Sequence, residues 1–388
     1  MEWIEKTLGE LGDIVGGATP STKHEEYYGG NIAWITPKDL SLLKGRYISY
    51  GERSITEAGL ASCSAQMMPP NTVLFTSRAP IGYVAIARQS VCTNQGFKSV
   101  VPHECVDSLF LYYLLKFNKE RIEAMGSGTT FKEVSGKTMK AVQVRIPCKI
   151  EDQKKIASIL DSIDSKIENN AKINDNLEHQ ASLLVGQYME STNSRVPFSD
   201  IMSFDSGFAF RSSTYLPSGK YRIITIKNVQ DGYIDSTGAA FIDNLPPKMK
   251  SSCLLDIGDA LLSLTGNVGR VGVVCEENLL LNQRVAKIVP KDKALLPFSY
   301  FIFRQPGIKM QLISIAKGTA QLNLSPVETL NLMVPYEKES ARPLSLTLTP
   351  LYQTIIMNTQ ENIVLASLRD ALLPKLMSGE IDVSDVKL

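Results

Sequence analysis

The stretch "NDNLEHQASLLVGQYM" (174–189) returns 188 residues later as "NIVLASLRDALLPKLM" (362–377), with Leu177 and Leu365, Leu184 and Leu372, and Met189 and Met377 in register. The offset extends well beyond these helix-like stretches. Asn94-Gln95 recurs as Asn282-Gln283, the "VVP" ending at Pro102 as the "IVP" ending at Pro290, and "VRIP" at Pro147 as "LMVP" at Pro335. A chain that repeats itself at one spacing folds as copies of one unit. The 388 residues therefore divide into two halves, each of about 190 residues and long enough to build its own core.

Each half changes texture along its length. Short β-type runs such as "NTVLF", "GYVAIA" and "AVQVRIP", broken by Gly, Pro and Asn, fill the first part. Helical periodicity fills the rest. Alternating steps of four and three trace a heptad seam through Ile156, Leu160, Ile163, Ile167, Asn170, Asn174, Leu177, Ala181, Leu184 and Tyr188. The offset maps it onto Leu344, Leu348, Leu351, Ile355, Asn358, Asn362, Leu365, Arg369, Leu372 and Leu376. Pro350 is expected to start the second helix, leaving Leu344 and Leu348 outside it. The expected class is α+β with a pseudo-two-fold internal repeat. Residues 1–150 and 193–340 form two similar β-rich domains, and residues 151–192 and 341–388 carry the two helices.

A stripe of apolar residues on one helix ordinarily packs a globular core. Two asparagines at equivalent places in both seams point elsewhere, because a buried amide selects the register in which it meets a polar partner. Antiparallel pairing brings Asn170 and Asn174 to Asn358 and Asn362. The expected arrangement is one intramolecular antiparallel coiled coil, each helix about 50 Å long at ~1.5 Å per residue, with a globular domain before each helix. Two similar readers on a fixed ruler fit a linear two-part target such as duplex DNA, whose groove faces recur every ~34–36 Å. The chain carries a net charge of only +1. By segment, residues 1–150 hold 17 Lys/Arg against 14 Asp/Glu, residues 193–340 hold 16 against 13, and residues 151–192 hold 4 against 8. The modest basic excess lies in the globular domains, and a near-neutral DNA binder depends on a partner for much of its phosphate contact.

The alternation of β-rich domain and long helix resembles the specificity subunit of type I restriction-modification enzymes over essentially the whole chain. The residues that carry the resemblance are "LGDIVGGATPST", "NIAWITPKDL", "SRAPIGYVAIA", "TNQGFKSV", the helix start "EDQKKIASIL" and, most specifically, "LRDALLPKLMSGEI". The second half departs from the pattern where "ARPLSLTLTPLYQTII" replaces the acidic-Gln helix start. The resemblance implies two target-recognition domains, each reading half of a split DNA sequence, and helices that set the spacing and dock methyltransferase subunits. It further implies a restriction or translocase subunit reached through the complex, with S-adenosylmethionine, ATP and Mg on those partners and no cofactor on this chain.

No catalytic constellation appears in the residues themselves. "MPPN" (68–71) and "LPPK" (245–248) have the paired prolines of an amino-methyltransferase but neither flank, and a P-loop is absent. "GSGTTF" and "GNVGRVG" lack the spacing of a dinucleotide fingerprint. His24, His103 and His179 share no metal-like spacing, and the six cysteines, Cys63, Cys92, Cys105, Cys148, Cys253 and Cys275, form no C-x-x-C pair. With neither a signal-peptide pattern nor an apolar run of ~18 residues, a cytoplasmic protein without membrane association is expected.

DNA-binding candidates are the loop donors able to reach phosphate or base edges. The first domain offers Thr19, Ser21, Lys23, Ser77, Arg78, Thr129 and Lys132. The second offers Arg211, Asn267, Arg270, Thr319 and Gln321, with Arg78 and Arg270 in loops at nearly equivalent places. Ser and Thr in such loops also cap turns, and an exposed Arg is often only solvated. The competing function is a non-enzymatic scaffold joining two protein-binding modules on a coiled coil. Salt-sensitive binding to random duplex DNA in the presence of a methyltransferase partner separates the two.

Overall fold

The computed structural model describes residues 1–128, 132–318 and 321–386. The chain forms two compact units, one made of Met1–Glu168 with the stretch from Leu365 onward, the other of Asn169–Val364. The division cuts across both long helices, Ile150–Ser191 and Lys338–Ser378, instead of falling at their ends.

In the first unit Trp3–Thr7 pairs antiparallel with Gln143–Pro147, closing the β-rich part on itself. A five-stranded sheet runs in the order Gly12–Gly16, Lys98–Pro102, Val73–Ser77, Ile81–Ala87, Tyr47–Ile48. The expected runs are therefore strands, and the burial of all five residues of Val73–Ser77 explains their continuous apolar character. A smaller sheet orders Ser54–Ile55, Tyr28–Ile35 and Cys92–Thr93. Helix Ser108–Phe117, capped by the Asp107 carboxylate on the Phe110 N–H at 2.9 Å, contributes Phe110, Leu111 and Leu114 to the core. That core also takes in Ile156, Ala157 and Leu160 from the first long helix and Leu376 and Met377 from the second.

The second unit repeats this plan. Arg195–Pro197 pairs with Met333–Pro335. The main sheet runs Met202–Ser206, Val285–Pro290, Ala260–Ser263, Val271–Val273, Gly232–Tyr233, the same order of equivalent strands. Its core collects Phe298, Phe301 and Phe303 with Ala181, Val185 and Tyr188 on one long helix and Leu348, Tyr352 and Ile355 on the other.

Within the second unit the helices pair antiparallel through their amides. Asn170 Nδ2 donates to Asn362 Oδ1 at 3.0 Å and to Glu361 Oε2 at 2.7 Å, and Asn358 Nδ2 donates to Asn174 Oδ1 at 2.8 Å. Asn170 is 1% exposed. Ile156, Leu160, Ile163, Leu348, Ile355 and Leu376 are buried, while Ile167, Leu177, Leu184, Leu344, Leu351, Leu365 and Leu372 are half-buried. The buried stripe is wider than a two-position heptad, because Ala157, Val185, Tyr352 and Ile356 bury a flanking face against the recognition-domain cores.

The start of the second helix differs from the sequence expectation. It begins at Lys338 and runs through Pro343 and Pro350, so Leu344 and Leu348 are helical and Leu348 is fully buried. Both prolines lie on the exposed face, as do Glu339 and Leu346, whose carbonyls lose their usual N–H donor. Burial of Leu348, Tyr352 and Ile355 outweighs the local penalty, and the Tyr188 hydroxyl accepts from the Glu337 N–H at 2.8 Å to hold the true start. Pro350→Ala should therefore stabilise the chain, by up to ~3 kcal/mol, seen as a higher midpoint in thermal unfolding. An unchanged or lower midpoint would show that the proline is not strained in this helix.

Candidate nucleic-acid interface

Four loops converge in each unit, tied by main-chain hydrogen bonds. In the first, the Ala18 N–H donates to Thr93 O (3.0 Å), the Ser77 N–H to Gly96 O (2.7 Å), the Val134 N–H to Ser77 O (3.0 Å), and Ser127 and Glu133 exchange both bonds. Thr19 lies here, its hydroxyl bonded to the Gln95 side chain. Ser21 and Lys23 follow on the exposed part of the same loop. Arg78 Nη1 reaches Glu133 Oε2 at 3.4 Å, and Lys98 Nζ lies 3.5 Å from the other oxygen of that carboxylate. Lys132 is exposed beside them, while Thr129 falls outside the described residues. Thr19, Arg78 and Lys132 are thus brought to one surface with Gln95 and Lys98. Sequence reasoning passed over the last two, although both sit in "TNQGFKSV".

Ser77 does not belong to that surface. Its side chain is fully buried, and its hydroxyl has no hydrogen-bond partner among the described residues. It is the last residue of a strand packed on both faces, so the loop donors begin at Arg78.

The second unit builds the same cluster with different side chains. The Phe208 N–H donates to Leu281 O (2.9 Å), the Leu264 N–H to Arg284 O (3.2 Å) and the Leu324 N–H to Leu264 O (2.7 Å). This pattern makes Leu264 the counterpart of Ser77, and so Thr265, not Arg270, the counterpart of Arg78. The expected equivalence of Arg78 and Arg270 fails although the two hairpins match residue for residue, Val73 pairing with Ile86 as Ala260 pairs with Val273: Arg270 lies on the returning side, at the place of Tyr83, where Nη1 donates to Gln230 Oε1 at 2.6 Å. Where the first unit has the Arg78–Glu133 ion pair, the second has a neutral bond from Thr265 Oγ1 to Asn323 Oδ1 at 2.8 Å, with Arg284 Nη1 3.4 Å from the same oxygen. Asn267, Gln321 and Arg211 are exposed. Gln321 lies against Gly266, and the Arg211 guanidinium has no partner among the described residues. Thr319 lies outside the described residues. Side chains that differ on one backbone plan are what two readers of different base sequences require.

Nothing in these clusters resembles a catalytic centre. Among the described residues no group of His, Cys, Asp and Glu could hold a metal ion, and no helix is long and apolar enough to cross a membrane. The buried thiols of Cys92 and Cys275 are pushed up to about 12 by desolvation, which keeps them protonated and unreactive.

The family model described as the type I restriction modification DNA specificity domain matches twice, over residues 1–179 and 191–366. The chain belongs to the specificity subunits of type I restriction-modification enzymes. It is 34% identical to the MjaIX type I restriction enzyme specificity subunit of Methanocaldococcus jannaschii, over 99% of this chain and 95% of that one. The EcoR124I/EcoR124II specificity subunit of Escherichia coli is 31% identical over 42% of this chain and 41% of its own length. The crystal structure of a type I restriction-modification S subunit from M. genitalium shares the fold, with a TM-score of 0.60 at 20% identity over 97% of this chain and 96% of that one. The two matches of the family model coincide with the two halves of the internal repeat, so each half is one specificity domain with its long helix.

Proposed function

We propose that this specificity subunit reads a two-part duplex DNA site, one part with each recognition domain, and docks methyltransferase subunits and, through them, a restriction subunit. The observation that carries the reading is the recurrence, within one chain, of the same strand order and the same four-loop cluster with different polar side chains. On this reading Arg78, Lys98, Lys132 and Thr19 in the first cluster, and Arg284, Gln321 and Asn323 in the second, meet the duplex, while the buried Thr265 holds Asn323. The near-neutral net charge leaves most phosphate neutralisation to the partner subunits. On this reading S-adenosylmethionine, ATP and Mg are bound by those partners, and the specificity subunit performs no chemistry.

Purified chain free of partners should show no methyltransferase, nuclease or ATPase turnover; measurable turnover would overturn the non-catalytic role. The two-part reading is tested by exchanging residues 193–340 for the corresponding domain of a relative and mapping methylated sites with the native methyltransferase subunit. One half of the motif should change and the other persist. A change in both halves would show that the domains do not read independently.

A further inference from the structure

Arg46 sits at the start of the edge strand Tyr47–Ile48, its carbonyl accepting from the Ile86 N–H at 2.8 Å, so its backbone belongs to the main sheet of the first recognition domain. Its side chain leaves the sheet and is buried, 5% exposed, against the first long helix. Nη2 donates to Ser165 Oγ at 2.8 Å and lies 3.1 Å from Asp161 Oδ1. Nη1 lies 3.5 Å from Glu168 Oε1 and 3.8 Å from Asp164 Oδ2, and the Arg46 N–H donates to the same Glu168 oxygen at 3.1 Å. Asp164 is held in turn by the Tyr113 hydroxyl at 2.7 Å and by Arg369 Nη1 at 2.9 Å. Among the described residues, every hydrogen-bond and ion-pair partner of the Arg46 side chain lies on the long helix.

This is a poor arrangement for stability alone. Burying a guanidinium is costly, and Nε and Nη1 lack hydrogen bonds, where an apolar side chain of similar volume would carry no such penalty. What a planar fork among three carboxylates supplies is direction. The second unit ties the matched edge strand to its helices by other means. Gly232 takes a φ of +102°, its carbonyl accepts from the Tyr300 hydroxyl at 3.2 Å, and a Cβ there would meet Glu178 Oε1 at 2.9 Å and Arg304 Nη1 at 3.2 Å. In both units the edge strand is the attachment point; in the second a guanidinium is again present, Arg304 paired with Glu178 of the long helix and donating to Val271 O at 3.2 Å, but it comes from a helix of the domain, whereas in the first it belongs to the edge strand itself.

We infer that Arg46 is a positioning residue that fixes how the first recognition domain is set on its helix, and thereby how strictly the complex discriminates the spacer between the two half-sites. The inference rests on the two-part reading above. Loss of the pin should leave base recognition within each half intact and relax the tolerated spacing.

The test uses the complex assembled with the native methyltransferase subunit. Once the parent motif is mapped, methylation is measured on duplexes with the parent spacer and with spacers one base pair longer and shorter. Arg46→Met should lower the preference for the parent spacer by about tenfold or more, in line with the large rate effects of small misplacements, with the base preferences of both halves unchanged. Arg46→Lys, which keeps the charge but not the fork, should fall between. If Arg46→Met does not fold, Glu168→Gln removes one partner of the guanidinium and should shift the preference in the same direction by less. An unchanged preference in a folded, assembled complex, or an equal loss at every spacer, overturns the positioning role. A parent complex that methylates no two-part motif overturns the inference together with the reading beneath it.

Discussion

Gly17→Ala should abolish discrimination at the first half-site while leaving the second intact, and Gly207→Ala should do the reverse. A Cβ at Gly17 would lie 2.1 Å from the Thr93 carbonyl oxygen and 2.2 Å from that of Asn94; one at Gly207 would lie 2.3 Å from the carbonyl of Asn282. These are main-chain atoms, so relief requires the loops to part. The next residue in each loop donates to that opposite segment, Ala18 to Thr93 O and Phe208 to Leu281 O. Overpacking of this kind costs about 1–3 kcal/mol, sometimes more, and falls on the loop that carries Thr19, Ser21 and Lys23 or on the one that carries Arg211. Displacement of such a loop by ~1 Å is enough for a loss of order 100-fold. The measurement is binding of the assembled complex to duplexes in which one half-site at a time is randomised. Equal damage to both halves from either substitution would show that the clusters are not the readers of separate half-sites.

The second large effect concerns the paired amides. Asn174→Leu alone should lower stability by about 1–3 kcal/mol, because a half-buried amide loses its partner. Asn358 Nδ2 would lose its acceptor at 2.8 Å, and the bonds from Asn174 Nδ2 to Ile355 O and Thr359 Oγ1, both 3.3 Å, would go as well. The double variant Asn174→Leu/Asn358→Leu should recover most of the loss or exceed the parent, since both polar groups leave the seam together. A double-mutant cycle by urea denaturation should give a coupling of about 1–2 kcal/mol between these contacting side chains. Additive effects would remove the pair from any role in register. Asn170 must be tested with Asn362, its partner across the seam, and not with Asn358.

The specificity-subunit family was legible in the repeat and its motifs, and the general place of the clustered loops in the turn residues between β-type runs. Individual side chains were much less so. Ser77 and Arg78 are neighbours in "TSRAPIG", yet one is buried at the end of a fully packed strand and the other half-buried at the surface beside Glu133. Nothing local distinguishes them, because the distinction comes from strands paired on both sides of Val73–Ser77. Arg46 likewise looks like an ordinary loop cation in "LLKGRY", and its three carboxylate partners lie more than a hundred residues away on the long helix.

The two-fold repeat, the two seams and the asparagines that pair across them were determined by sequence alone, because periodicity and recurrence are properties of linear order. The start of the second helix was not. Local rules start that helix at Pro350, and the tertiary structure extends it back to Lys338 because both prolines face solvent while Leu348, Tyr352 and Ile355 are buried. The equivalence of Arg78 with Thr265 instead of Arg270, the burial of Ser77 and the capture of Arg46 were decided in the same way. Each depends on which distant backbone or carboxylate lies opposite, and only the folded chain brings those partners together.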